Sequence, residues 1–483
     1  MHKYQILMSD HSQYQSDTII ALATPSGIGA IGVIRLSGPD AISLVNEVFG
    51  GKDLSIQHSH TIHFGTIKDG KQVLDEVLVS IFIGPRSYTR ENVVEISTHG
   101  SAFIIESIIK LLIRKGARPA NPGEFTLRAF LNGQLDLSQA EAVADLIASN
   151  SQASHQVAMQ QMRGGFSGEL QHLRDQLIHF AAMIELELDF GEEDVEFANR
   201  EQLKGLIYQI QRILHRLIQS FEQGNVMKNG VPVVIAGKPN VGKSTLLNTL
   251  LNEERAIVSE IAGTTRDTVE DEMIIGGLRF RFIDTAGIRD TVDSIEAKGV
   301  ERTHEKIKQA KLIIYLVDPE QDVKEIETQV KYLNDLDIPF LVVVNKRDLV
   351  SAEFEGELSV ISYLLSGLIP HTSDLQPHTS DLIFISARNN EGIEELKSEI
   401  LRKVNLHAIN TDDVLISNIR HLEALQKTED SLNRVLINID NPITSDFLAS
   451  DIKQALYYLG EITGQVTTDD LLETIFSKFC IGK

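Results

Sequence analysis

One eight-residue run constrains this chain more than any other part of it. Gly237-Lys238-Pro239-Asn240-Val241-Gly242-Lys243-Ser244 has the spacing GxxxxGKS, and it stands between an apolar run, Val231 to Ala236, and a helical stretch, Thr245 to Leu251. Its glycines let backbone N–H groups turn inward on phosphate, Lys243 neutralises charge on the β- and γ-phosphates, and Ser244 is placed to ligate Mg²⁺. Further short apolar runs lie at Phe280 to Ile283, Leu312 to Val317, Phe340 to Val344 and Ile383 to Ile385, alternating with helical stretches. Unalternated runs of this length, bounded by turns, suit parallel strands covered on both faces. The loop alone leaves ATP and GTP open.

A second motif decides the base. Asn345-Lys346-Arg347-Asp348 closes an apolar run, and a carboxylate at Asp348 can accept both the N1–H and the 2-amino hydrogens of guanine. Adenine presents a bare acceptor at N1 and no 2-amino group, so a site built for guanine rejects it by up to about 10⁴ to 10⁵ fold. The Lys346 stem packs on the base in this reading, and Ser386-Ala387-Arg388 supplies a further base contact. Between these segments lie Gly263-Thr264-Thr265-Arg266-Asp267 and Asp284-Thr285-Ala286-Gly287. In such sites the threonine, here Thr265, reaches Mg²⁺ and the γ-phosphate, and the glycine, here Gly287, senses the γ-phosphate through its N–H. Ile288 stands where many GTPases place a water-orienting glutamine, so another group must take that role. A monovalent cation held by Asn240 and the segment Ser259 to Thr264 is one solution, and Arg266 or Arg289 acting as a positive finger is the rival.

The flanking sequence has a different character. The first ~130 residues mix extended runs (Thr18 to Ala23, Ala30 to Leu36, Val77 to Ile83, Val93 to Ser97) with helical patterns near Asp40 to Phe49 and Ala102 to Lys115, an α+β domain. Helix predominates from Leu135 to Leu188, and Leu203 to Phe221 keeps one apolar stripe at period 3.6 until Asn229-Gly230 breaks it. The last ~70 residues return to helix, with Ile419, Leu422, Leu425, Leu432 and Leu436 on one stripe. The expected fold is multidomain α+β and α/β, with the phosphate-loop domain inserted into a helical domain. The boundaries are 1–133, 134–228 (helical, first part), 229–406 (inserted) and 407–483 (helical, second part).

Composition narrows the function. The chain has 483 residues, and its 45 basic against 68 acidic residues leave a net charge of −23. That balance argues against sequence-blind nucleic-acid binding by this chain alone. One cysteine, Cys480, excludes an internal disulfide and fits a reducing compartment. No apolar run approaches the ~20 residues needed to cross a bilayer, so the reading is a soluble cytoplasmic protein without a membrane partner. Three features read as structural: the repeated HTSDL at 371–375 and 378–382 as a duplicated surface loop, the acidic run Glu185 to Glu196 as a solvated helix end or linker, and His58, His60 and His63 as part of a half-exposed strand.

Four stretches resemble the MnmE (TrmE) family of tRNA uridine-modification GTPases over nearly the whole chain. They are ATPSGIGAIGVIRLSG (Ala23 to Gly38), RPANPGEFTLRAFLNGQLDLSQAEAVADLI (Arg118 to Ile147), IAGTTRD (Ile261 to Asp267) and FCIGK (Phe479 to Lys483). The resemblance implies an N-terminal tetrahydrofolate-binding domain that dimerises, a helical domain and an inserted GTPase domain. It assigns guanine nucleotide to Asn240, Val241, Gly242, Lys243, Ser244, Thr245, Ser259, Glu260, Ile261, Ala262, Gly263, Thr264, Thr265, Asp284, Thr285, Ala286, Gly287, Asn345, Lys346, Arg347, Asp348, Ser386, Ala387 and Arg388. It gives Mg²⁺ to Ser244 and Thr265, K⁺ to Asn240, Ser259, Ile261 and Thr264, and the attacking water to Glu296. Lys243 then acts in catalysis, and Cys480 is a candidate for the folate chemistry.

A tetrahydrofolate derivative, 5,10-methylene or 5-formyl, falls by resemblance to Arg35, Glu95 and Lys483. Gln134 stands where the family usually has a Lys or Arg, and a glutamine supplies no charge to folate. The implied partner is the flavoprotein MnmG (GidA), carrying FAD and using NADH, in a heterotetramer that meets tRNA as a complex. The implied product is an aminomethyl or carboxymethylaminomethyl group at C5 of the wobble uridine. The alternative reading is a GTPase switch in ribosome assembly, which would have no use for the first ~130 residues or for FCIGK.

Overall fold

The computed structural model describes residues 17–189, 199–253, 271–283, 310–336, 338–352, 354–358, 361, 382–404, 414–439, 445–479 and 481–482. In chain order its strands are β1 (Ile19–Leu22), β2 (Ile31–Ser37), β3 (Phe49–Gly50), β4 (Thr61–Asp69), β5 (Gln72–Phe82), β6 (Val93–His99), β7 (Arg118–Pro119), β8 (Val231–Ala236), β9 (Asp271–Ile275), β10 (Leu278–Phe282), β11 (Leu312–Val317), β12 (Phe340–Val344) and β13 (Leu382–Phe384). The helices are α1 (Ala41–Val48), α2 (Ala102–Arg114), α3 (Glu124–Leu131), α4 (Leu137–Ala148), α5 (Gln152–Met162), α6 (Ser167–Asp189), α7 (Arg200–Asn229), α8 (Lys243–Glu253), α9 (Val323–Asn334), α10 (Ile393–Val404), α11 (Ile419–Asn438), α12 (Ser445–Thr463) and α13 (Asp469–Phe476). The described residues of 1–144, 161–211 and 423–483 form one compact unit, and those of 145–160 and 212–422 form another.

The first unit is built on a sheet of order β3-β4-β5-β6-β2-β1-β7, antiparallel except where β1 runs parallel to β7. Alternation along the strands puts Ile34, Leu36, Val77, Val79, Ile81, Val94 and Ile96 in one core with Leu44 and Val45 of α1 and Ile108, Leu111 and Leu112 of α2. The opposite face carries a smaller apolar cluster, Ile19, Ala21, Ala120 and Phe125. Among the helices of this unit, α12 packs on α6, so helical segments from both sides of the inserted block share a core. His63 lies in β4, as a half-exposed strand requires, whereas His58 and His60 occupy the turn before it. No group of three potential metal ligands occurs among the described residues.

The second unit holds a six-stranded sheet of order β13-β12-β11-β8-β10-β9, parallel but for the edge strand β9, which is antiparallel to β10. Every residue of β11 and β12 is buried. One face packs on α8 and α10 through Leu246, Leu247, Leu250, Leu396 and Ile400, and the other on α9 through Ile326, Val330 and Leu333. Helices on both faces explain why these strands read as continuous apolar runs.

In α11 the buried face runs Ala424, Leu425, Thr428, Leu432, Val435, while Ile419, expected on the stripe, is exposed. Ile419 is the first residue of the helix, and His421, two residues on, is the buried side chain of that turn. Among the longer strands, β9 was unforeseen, and β4 was expected only as a half-exposed strand around His58 to His63. In β4 the conspicuous apolar residues Ile62 and Phe64 point outward, and a bulge between Ile67 and Lys68 shifts the alternation. In β9 only Met273 and Ile275 are buried, beside Asp271 and Glu272. No helix among the described residues is long and apolar enough to cross a membrane.

Candidate functional site

The phosphate loop leaves β8 directly and turns into α8. Gly242 has φ +101°, and a β-carbon there would overlap the Asn345 side-chain amide, so the loop can close only on glycine. Lys243 donates from Nζ to the carbonyls of Gly237, at 2.7 Å, and Lys238, at 2.8 Å. Burial pushes its ammonium below the usual lysine range, because the described residues around it supply dipoles and no countercharge. Lys238 pairs outward with Glu325 of α9. Ser244 and Thr245 occupy the first turn of α8, with Thr245 exposed.

Asn345 ties this loop to the segment that follows β13. Its buried side chain donates from Nδ2 to the Val241 carbonyl at 2.8 Å and accepts at Oδ1 from the Ala387 N–H at 3.0 Å. Thr249 of α8 donates to the Ala387 carbonyl at 2.8 Å, which makes a second tie between the same segments. Ser386 donates from Oγ to Asp348 Oδ1 at 3.2 Å, and the Arg347 N–H bonds the Ile385 carbonyl at 3.0 Å. Lys346, at φ +57°, holds its Nζ 3.0 Å from Asp318, the residue after β11. Asp348 and Arg388 are both exposed. The structure thus gathers Asn240 to Thr245, Asn345 to Asp348 and Ser386 to Arg388 at the carboxyl ends of β8, β12 and β13. Asp318 and Thr249 were not foreseen. A carboxylate directly after the run LIIYLV was the available signal for Asp318; Thr249, inside an ordinary helix, gave none.

The other expected groups of this site lie outside the described residues: Ser259, Glu260, Ile261, Ala262, Gly263, Thr264, Thr265, Arg266, Asp284, Thr285, Ala286, Gly287, Arg289 and Glu296. So do Cys480, Lys483 and all of the HTSDL repeat except Leu382.

In the first unit, Arg35 and Glu95 are directly opposite on β2 and β6. The guanidinium reaches Glu95 Oε1 at 2.9 Å from Nε and 2.7 Å from Nη2, and lies over the rings of Tyr88 and Phe125, 5.5 and 5.8 Å from their centroids. Gln134 is exposed and makes no hydrogen bond to either member of the pair among the described residues. Gly482 lies so close to the Leu22 carbonyl that a β-carbon would overlap it, which brings the C-terminal motif to β1, the neighbour of β2.

The same unit holds an ion network, unmarked in the sequence, centred on the buried Arg128 and Glu124. Arg128, fully buried, donates to Asp17 at 2.5 Å, to Glu124 at 3.1 Å and to Glu91 at 3.3 Å; Arg118 donates to Asp17 at 2.5 Å and Glu124 at 2.6 Å. Ser37, at the end of β2, donates to Glu91 at 2.6 Å, so the network anchors the strand that carries Arg35.

The comparisons with known proteins agree with this arrangement. Residues 18–134 match the family model for the GTP-binding protein TrmE N-terminus, and residues 137–480 match that for the MnmE helical domain. Proteins named tRNA modification GTPase MnmE from Cytophaga hutchinsonii, Christiangramia forsetii and Flavobacterium johnsoniae are 56, 53 and 55% identical to the chain. Each alignment covers 97% of this chain and 98 to 99% of the relative. The two family models and these near full-length relatives, together with the phosphate-loop sequence, show that the chain belongs to the MnmE family of tRNA modification GTPases.

Proposed function

We propose that this chain hydrolyses GTP as part of an enzyme that modifies C5 of the wobble uridine in certain tRNAs. The observation that supports the reading is the Asn345 bridge between Val241 and Ala387, with Ser386 bonded in turn to Asp348. The residues present suit a guanine nucleotide. Lys243 is a half-buried cation whose Nζ, among the described residues, donates to two carbonyls, and the phosphates would supply a countercharge. Asp348 accepts the N1–H and 2-amino hydrogens of the base, and the Lys346 stem covers the ring.

Hydrolysis requires a water in line with the γ-phosphorus; the new P–O bond forms as the bond to the β–γ bridging oxygen breaks, releasing GDP and phosphate. Lys243 balances charge that builds on the β- and γ-oxygens. Ser244 and Thr265 would hold Mg²⁺, and Asn240, Ser259, Ile261 and Thr264 would hold K⁺; the two ions would supply positive charge to the phosphates, K⁺ in place of the arginine that other GTPases use. Glu296 orients the water, a role that rests on the family resemblance.

In the N-terminal segment, Arg35, Glu95 and Lys483 bind a tetrahydrofolate derivative. Glu95 suits the N–H and 2-amino edge of a pterin, and the ring faces of Tyr88 and Phe125 offer stacking surface. The folate, when bound, supplies the one-carbon unit. The chain works as a homodimer with a flavoprotein partner that carries FAD, uses NADH and provides most of the tRNA-binding surface, in keeping with the net charge of −23. The compartment is the cytoplasm.

The test is steady-state GTP hydrolysis in K⁺ and in Na⁺ at equal ionic strength, with Glu296→Ala in parallel. Turnover that is fast only in K⁺ and collapses in the variant supports the cation mechanism. Equal rates in the two salts discard the K⁺ site and make Arg266 and Arg289 the residues to examine.

A further inference from the structure

The β9–β10 hairpin is the piece of the sheet that joins the two γ-phosphate-sensing motifs. GTTRD ends at Asp267, four residues before β9, and DTAG begins at Asp284, two residues after β10. The strand pair is therefore the shortest covalent path between the two motifs. β10 runs parallel to β8, and its tip, Gly276-Gly277, lies about 17 Å along the strand from the motif end at ~3.3 Å per residue.

That tip is not free. Both glycines have positive φ, +57° and +80°, as a two-residue hairpin turn requires. Gly276 abuts Leu401 of α10, and Gly277 abuts Gln152, the first residue of α5. The Gly277 carbonyl accepts the Ala153 N–H at 3.1 Å. That N–H is one of the orphan donors in the first turn of α5, and the next, on Ser154, is capped at 3.2 Å by Ser151 Oγ. The hairpin therefore supplies part of the helix cap from outside the helix. Leu278, the next residue, packs on a small cluster formed by Ala153, Val157, Met227 and Leu415. Arg279 donates to the Lys228 carbonyl at 3.2 Å, and Lys228 in turn pairs with Asp145 at 2.7 Å.

Beside these contacts lies a cavity of about 150 Å³, walled by Asp145, Ser149, Ser154, Lys228 and Arg279 among others. Ala148, Val157 and Ala158 complete its wall, so the space beside β10 is lined by apolar as well as polar groups. Residues 145–160, which include the first nine of α5, cluster with the nucleotide-binding block, although the helical-domain family model spans them.

We infer that the hairpin tip is a coupling point: the nucleotide state, transmitted along β9 and β10, sets whether Gly277 caps α5, and so how firmly the start of that helix is formed. The inference rests on the GTPase reading above. A helix that loses one cap donor frays at its first turn, which alters its packing without unfolding the chain.

The test is residue-resolved amide hydrogen exchange on the full chain, nucleotide-free, with GDP and with a non-hydrolysable GTP analogue. Nucleotide occupancy is measured separately by fluorescence of a labelled nucleotide. The Ala153 N–H is expected to change protection by about tenfold between the GDP and analogue states, while the Leu170 N–H of α6 stays constant. Leu278→Ala, which removes the apolar seat but no nucleotide contact, is expected to raise Ala153 exchange in every state and erase the difference. Equal protection of Ala153 in all states with nucleotide bound overturns the coupling and leaves the GTPase reading intact; so does a wild-type difference in Leu278→Ala. Absence of nucleotide binding overturns both.

Discussion

Replacing Asn345 by alanine isolates the bridge on which the nucleotide site depends. The substitution removes two hydrogen bonds, 2.8 Å to Val241 and 3.0 Å from Ala387, and leaves a buried carbonyl and a buried N–H unpaired. Each orphaned group costs about 1–3 kcal/mol, so the pair amounts to about 2–6 kcal/mol. Thr249 still holds the Ala387 carbonyl, so part of the geometry survives and the lower half of that range is expected. If about 2–4 kcal/mol is lost from binding, affinity for GDP falls by about 30- to 1,000-fold. The assay is fluorescence titration with a labelled GDP, alongside urea denaturation to measure how much of the loss falls on the fold instead. Asn345→Asp is the companion, because a carboxylate can still accept from Ala387 but meets the Val241 carbonyl with like charge. Binding by Asn345→Ala within about threefold of wild type, with an unchanged unfolding midpoint, would rule out the bridge as the element that holds the two loops in register.

Three further outcomes are expected from the same geometry. Asp348→Asn should abolish the preference for GTP over ATP, seen in competition titrations, because an amide cannot accept from both N1–H and the 2-amino group. Arg35→Ala should weaken binding of 5-formyl-tetrahydrofolate at least about tenfold by calorimetry while leaving the melting temperature nearly unchanged, since its partner Glu95 is partly exposed and can be hydrated. Glu124→Gln should cost about 3–5 kcal/mol in denaturant unfolding, since it breaks the buried pair with Arg128; the half-exposed Arg118 adds little.

The same network sets an acid limit on stability. Burial opposes ionisation of Asp17 and Glu124, but hydrogen bonds from Arg118 and Arg128 to Asp17, and from Arg118 and the Asn121 N–H to Glu124, outweigh it and hold both carboxyls below their ordinary range. A folded pKa below the unfolded one gives stability that is complete above the unfolded value, about 4, and is lost as pH falls through the folded value. The urea midpoint should therefore drop below about pH 4, and Glu124→Gln should flatten that dependence.

Much of the nucleotide site is legible along the chain, because its chemistry is carried by contiguous motifs. A phosphate loop needs its glycines and lysine within eight residues, and β11 and β12, buried on both faces, must be apolar throughout. Both features are local and survive in one dimension. The α+β character of the N-terminal segment is legible in the same way, from the alternation in β2 and β6 and the apolar stripe of α2.

How distant positions meet is settled by tertiary packing alone. Arg35 and Glu95 are 60 residues apart and become a pair only through strand register. Asp17, Glu91, Arg118, Glu124 and Arg128 each look like an ordinary surface charge, and they form one network around the buried Glu124 and Arg128 because β7, α3 and the segments leading into β1 and β6 converge. Strands β4 and β9 escape the pattern because an exposed face and an edge position relax the demand for buried residues. The Gly277 carbonyl at the head of α5 has no sequence signal, since a backbone acceptor is the same in every residue and only the path of the chain brings it there.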